Sequence, residues 1–195
     1  GDGRGLEPER YLMHASRAPD GALWGSGQSG LVMWNSGTRA LEPVPGAPVA
    51  EISAFAVEGA GRVWTARSGV LESWRWNGVS LAPELKLDHA DGLPLVDFRG
   101  LAVDAEGVVW LTSARGLVRV EPERGRVDVF GVSHGLPSQD IATPPVTRPS
   151  DGRMHMATRG GLVIFDPAAV RPAETTPELA IKAIEVRGRD GVRQL

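Results

Sequence analysis

Gly25-Ser26-Gly27-Gln28-Ser29-Gly30 carries the glycine spacing of the dinucleotide fingerprint. That fingerprint works where it opens a helix whose N-terminus meets a pyrophosphate, and here Leu31-Val32-Met33-Trp34 has the character of a strand. Zinc binding or general-base work would need two imidazoles converging with a carboxylate. The four histidines, His14, His89, His134 and His155, show no helix-face or finger spacing, so turn and packing roles are expected. Asp20, Glu106 and Asp151 each precede a glycine, where an acidic side chain supports a turn, and no Ser-His-Asp arrangement follows from spacing. No catalytic residue, metal ligand or cofactor is expected. Arg67, Arg115 and Arg159 recur in corresponding loops, where guanidiniums could grip an anionic or sugar-acid ligand or simply be solvated charges. Trp76, beside Asn77-Gly78, is placed either to stack on a sugar or partner or to cap its own sheet.

The elements that must position these residues come from a repeat. Gly21, Gly61, Gly107 and Gly152 fall at steps of 40, 46 and 45 residues. Three residues after each stand Trp24, Trp64, Trp110 and His155, and seven further on Leu31, Leu71, Leu117 and Leu162. Three beyond those come Trp34, Trp74, Val120 and Phe165. Upstream, Gly5-Leu6-Glu7-Pro8, Gly46-Ala47-Pro48, Gly92-Leu93-Pro94 and Gly135-Leu136-Pro137 punctuate the units. Alternating stretches such as Ile52 to Glu58 and Phe98 to Asp104 have the period of a strand with one buried face.

Units of this size are the blades of a β-propeller, each of about four short antiparallel strands. The fold class is therefore all-β, with four recognisable blades at about 5–45, 46–91, 92–134 and 135–167, forming a fragment of a larger propeller. Trp24, Trp64 and Trp110 are expected to fill the wedges between blades, with Trp34, Trp74 and Phe165 as a second layer. Last strands are expected near Leu41 to Val44, Val79 to Leu81 and Arg126 to Phe130, the second of them reached through an Asn77-Gly78 hairpin. The fourth unit departs: Pro144-Pro145 interrupt its first strand and no fourth strand follows Phe165. Residues 168–177 read as a linker, and 178–195 as the opening strand and turn of a further β domain.

With 42% apolar residues, 25 glycines and 15 prolines the composition is that of a turn-rich globular chain. The net charge of -3, with both signs scattered, gives no reason to expect nucleic acid. Cysteine is absent, which excludes disulfides and thiolate metal sites, and no apolar run reaches the length of a membrane span. The start at Gly1 reads as a piece of something longer.

Asp-Gly-x-x-Trp-x-x-Thr-x-x-Gly-Leu, preceded by Gly-Leu-Pro and followed by aromatic-Asp-Pro, resembles the two-component-regulator propeller repeat, most fully from Gly135 to Pro167. The resemblance spans roughly residues 5–167, a whole number of repeat periods. Two departures mark divergent copies: His155 replaces the tryptophan, and Gly27, Arg67 and Ser113 stand where Thr158 alone keeps the threonine. The resemblance implies the periplasmic or extracytoplasmic sensor region of a membrane-anchored histidine kinase, hybrid kinase or diguanylate cyclase. It implies a non-catalytic module that binds a small molecule, glycan or partner protein. Pro177 to Val186 is similar to the first strand of the triple-tyrosine β-sandwich that follows such propellers, although none of its tyrosines is present. The alternatives are a propeller lyase or lactonase with an axial metal and a protein-interaction scaffold. An open ring would leave sheet edges that invite self-association.

Overall fold

The computed structural model of the chain describes residues 12–59, 61–141 and 152–170, together with the backbone of the strands at 185–188 and 191–194. Gly5-Leu6-Glu7-Pro8, Pro144-Pro145, Asp151 and the stretch from Pro177 to Ile184 lie outside the described residues. Among the described residues no α-helix occurs, only strands and four single 3-10 turns.

Three complete up-and-down sheets follow one another. The first blade is β1 (Leu12–Arg17), β2 (Leu23–Gly27), β3 (Gly30–Asn35) and β4 (Ala40–Pro43). The second is β5 (Ala54–Val57), β6 (Arg62–Arg67), β7 (Val70–Trp76) and β8 (Leu81–Leu87). The third is β9 (Phe98–Val103), β10 (Val109–Ser113), β11 (Gly116–Glu121) and β12 (Arg126–Phe130). In the fourth, β13 (Met154–Thr158) pairs with β14 (Gly161–Phe165), and Ile141 bridges to Thr158 beside them. A separate hairpin joins β15 (Glu185–Gly188) to β16 (Gly191–Gln194). All pairings are antiparallel between sequence neighbours, which makes the chain a row of β-propeller blades.

Three apolar clusters occupy the three seams between blades. Trp24, Leu31 and Val44 of the first blade meet Phe55, Val63 and Trp74 of the second. Trp64 and Leu71 meet Leu101, Val109 and Val120, and Trp110 and Leu117 meet Met154 and Met156. All three tryptophans are fully buried, as a wedge-filling side chain must be when each small sheet has two faces to hide. Their indole N–H groups need partners there. Glu58 accepts from Trp64 at 3.3 Å and Asp104 from Trp110 at 2.9 Å.

The punctuation between blades also has a physical form. In both complete cases a 3-10 turn, His89–Asp91 or Val132–His134, ends on a glycine in the left-handed region, Gly92 (φ 92°) or Gly135 (φ 93°). The leucine that follows, Leu93 or Leu136, drops into the seam. One backbone bond then stitches each blade's central hairpin to the segment entering the next: Ile52 N–H to Gly27 O (3.0 Å), Gly69 N–H to Val96 O (2.9 Å) and Ile141 N–H to Ser113 O (3.2 Å).

Two expectations need correction. Trp34 is exposed, whereas Trp74 is buried and Phe165 packs against the third seam, so the second layer exists only where a preceding blade covers it. The last strand of the second blade begins at Leu81, not Val79. The Asn77 side-chain oxygen accepts from both Val79 N–H and Ser80 N–H at 2.9 Å, which holds residues 77–80 in the turn.

Candidate functional site

The central hairpins and the incoming segments share one end of the propeller, because the stitching bonds join them there. Gly30 shows why its column keeps glycine. With φ +100°, a Cβ there would sit 2.5 Å from the Pro48 carbonyl oxygen of the entering segment. The fingerprint-like stretch is thus a hairpin turn pressed against a neighbouring backbone, with β3 and not a helix following it.

At this end, between the first strands of the first three blades, lies a cleft of about 500 Å³. Met13 and His14 at the start of β1, Glu51 ahead of β5, Arg67 at the end of β6, and Asp97 and Arg99 at the start of β9 line it. The strands converge there because the innermost strands of successive blades are neighbours, with β9 against β5 and β5 against β1. His14 is half-buried. Desolvation holds its pKa below the ordinary value, partly offset by a hydrogen bond to the Ser53 backbone.

Arg67 makes a long ion pair to the buried Glu72 at 3.4 Å, and its Nε is buried without a hydrogen-bond partner. Arg99 donates to Asp140 Oδ1 at 2.8 Å and to the Ile141 carbonyl at 3.1 Å. Arg159 donates to the other oxygen of Asp140. Hydrogen bonds from Arg159 and then Arg99 hold the Asp140 carboxyl below the usual carboxylate range.

Of the residues expected to form a binding rim, Arg67 lines the cleft. Arg115 lies in the turn after β10, its backbone N–H donating to Ser113 Oγ at 3.1 Å, and Arg159 lies in the turn after β13. Neither lines the cleft, although Arg159 reaches its edge through Asp140 and Arg99. Trp76 is half-buried and edge-on to Trp24 at 5.3 Å, in the first seam. Asp20 closes its turn by accepting from Ala22 N–H at 2.9 Å. In the third blade Asp104 performs that task instead of Glu106, taking the N–H groups of Glu106 (2.9 Å) and Val108 (3.0 Å). His134 accepts from Gly131 N–H at 3.1 Å in a blade-joining turn, and His89 is exposed in the other. Among the described residues no three His, Asp or Glu side chains converge as a metal site would require.

Sequence reasoning missed His14, Glu51, Asp97 and Arg99. Their common signal was position at the start of an innermost strand, which the repeat alignment located but did not connect with an axial mouth.

No family model and no curated protein sequence matches the chain. Its fold, however, is that of known propellers. It aligns with the extracellular domain of BT3049 from B. thetaiotaomicron, assigned as a hybrid two-component system, over 90% of this chain and 24% of that one, at a TM-score of 0.63 and 16% identity. The extracellular domain of BT4673 from the same organism, assigned as a one-component system, aligns over 95% of this chain and 28% of that one, at a TM-score of 0.69 and 14% identity. The beta-propeller domain of Cps50 from Myceliophteria thermophila aligns over 78% of this chain and 52% of that one, at a TM-score of 0.57 and 14% identity. The chain therefore spans about a quarter of the two bacterial extracellular domains.

Proposed function

We propose that this chain is part of the extracytoplasmic sensor region of a membrane-anchored two-component or cyclic-di-GMP signalling receptor, without catalytic activity of its own. It binds a ligand at the propeller mouth and passes the bound state to a following domain and a kinase or cyclase. The observation that carries the reading is the alignment of almost the whole chain with extracellular domains of proteins assigned to bacterial signalling systems. At these identities the likeness shows the fold, and the role is our inference from it.

The mouth supports a small polar ligand. Arg67 and Arg99 offer donors, Glu51 and Asp97 offer acceptors, and the mixture of signs suits a polyhydroxylated molecule such as a sugar better than a polyanion. The decisive test is the reading frame that contains this chain. It should encode a membrane-spanning helix and a kinase or cyclase domain, and Arg67→Ala in that receptor should abolish the response to its ligand. A frame with neither helix nor output domain overturns the proposal.

A further inference from the structure

The three seams show what each blade face is built to meet, and the two faces at the ends of the row meet nothing. Val63 and Trp74 in the second blade are 0% and 9% exposed, and Val109 and Val120 in the third are both 0% exposed. Each pair lies under the tryptophan of the blade before it. The same columns in the first blade hold Leu23 and Trp34, which face each other across the β2–β3 ladder and are 39% and 43% exposed. Leu12 is also exposed on that face, lying over Gly25, where an added Cβ would approach it to 2.9 Å. A depression of about 500 Å³ opens beside Leu23 and Trp34.

At the other end the opposite face is bare. Leu31, Leu71 and Leu117 are 1%, 0% and 3% exposed in the seams, whereas Leu162 in their column is 65% exposed and Ile164 beside it 49%. His155 pairs with Ile164 on this face, and Met154 and Met156 point the other way into the third seam. The row thus starts with a leading face lacking its tryptophan-side partner and finishes with a trailing face lacking its valine-side partner.

We propose that these two faces are docking sites for each other in two copies of this chain. The fourth blade of one copy packs on the first blade of its partner, and the reciprocal contact closes a two-fold ring of eight blades. Two observations favour this occupant. Leading face against trailing face is the pairing of all three seams, so a second copy presents the surface that the repeat already fits. The row also covers about half of a complete beta-propeller domain, so two rows complete one turn. Eight blades lie within the usual range for closed rings. Head-to-tail contacts that failed to close would grow into fibres, whereas a half-turn arc closes after two copies. This inference does not depend on the sensor reading.

The test is light scattering and sedimentation of the full chain over a range of concentration. The expected result is a species of twice the chain mass that dissociates on dilution. Trp34→Glu and Ile164→Glu alter exposed positions and should each give a folded monomer by circular dichroism. An equimolar mixture of the two variants should recover a dimer, because it retains one intact leading face and one intact trailing face. If a glutamate variant loses its fold, Trp34→Ser and Ile164→Ser carry the same comparison. A monomer at every concentration, masses beyond two copies, or a mixture that stays monomeric overturns the proposal. The monomeric result would leave these faces to blades of a longer polypeptide.

Discussion

Trp110 and Trp34 belong to the same molecule and the same kind of hairpin, yet one is sealed in a seam and the other is open to solvent. Trp110 lies between the third and fourth blades, with Phe165 at 5.2 Å, the Arg119 guanidinium 5.8 Å from its ring centre, and its N–H on Asp104. Trp34 has only the sheet beneath it. Residue type does not separate them; the presence of a neighbouring blade does. In a blade array a side chain is stabilised by the interface it completes, so stability is expected to concentrate in the seams and fade toward the bare ends.

The sharpest way to break this comparison is to truncate both tryptophans. Trp110→Ala should cost about 3–5 kcal/mol, the range for emptying a packed aromatic site. Trp34→Ala in the monomer should cost well under half of that, because much of the ring is already hydrated. Denaturant unfolding of the two variants reads the difference, and equal losses would contradict a seam-centred distribution of stability.

Asp104→Ala should come next. It strands the buried N–H groups of Val108 and Trp110 and the part-buried N–H of Glu106. Leaving buried donors unpaired costs about 1–3 kcal/mol per group, with non-additivity among neighbours. Asp104→Asn keeps one acceptor oxygen and should recover part of the loss. The first blade has Ala18 at the equivalent position, so the acid is a local addition to the wedge rather than a requirement of the repeat.

This difference also explains how far the sequence could be read. The tryptophan and leucine columns were legible because every seam demands large apolar groups at one spacing, and the sheets follow from that period. Glu58 and Asp104 were legible in principle as an acid six residues before the tryptophan, but two copies among four are too few to stand out. The exposure of Trp34 could not be read, since its column is buried in the other blades. The mouth residues His14 and Arg99 were hidden for a related reason: they converge only through the curvature of the row, which spacing along the chain does not express.

A smaller effect is expected at the mouth. The folded pKa of His14 lies below its ordinary value of 6.5, so the folded state prefers the neutral ring. Between that value and the lowered one the unfolded chain binds more protons, and stability should rise with pH through this window and level off above it. Subtracting the pH profile of His14→Gln from that of the parent should isolate this step. A difference profile flat from acid to neutral pH would remove His14 from the account.

The smallest effect belongs to Arg159, and it tests the comparison from the exposed side. Asp140 receives two guanidiniums, as Asp104 receives three N–H groups, but Arg159 is 80% exposed and Arg99 is also held by the Ile141 carbonyl. Removing Arg159 therefore leaves Asp140 with a partner and leaves no buried group stranded. Exposed ion pairs are weak and screened by salt. Because the Asp140 carboxyl is held below its usual range, its contribution is present above that range and lost as pH falls through the lowered folded value. Arg159→Ala should move that acid-side loss upward in pH while changing stability at neutral pH within measurement scatter, and added salt should erase the difference. A large, salt-insensitive loss would mean that the fourth hairpin is anchored through Arg159 rather than through the apolar seam beneath it.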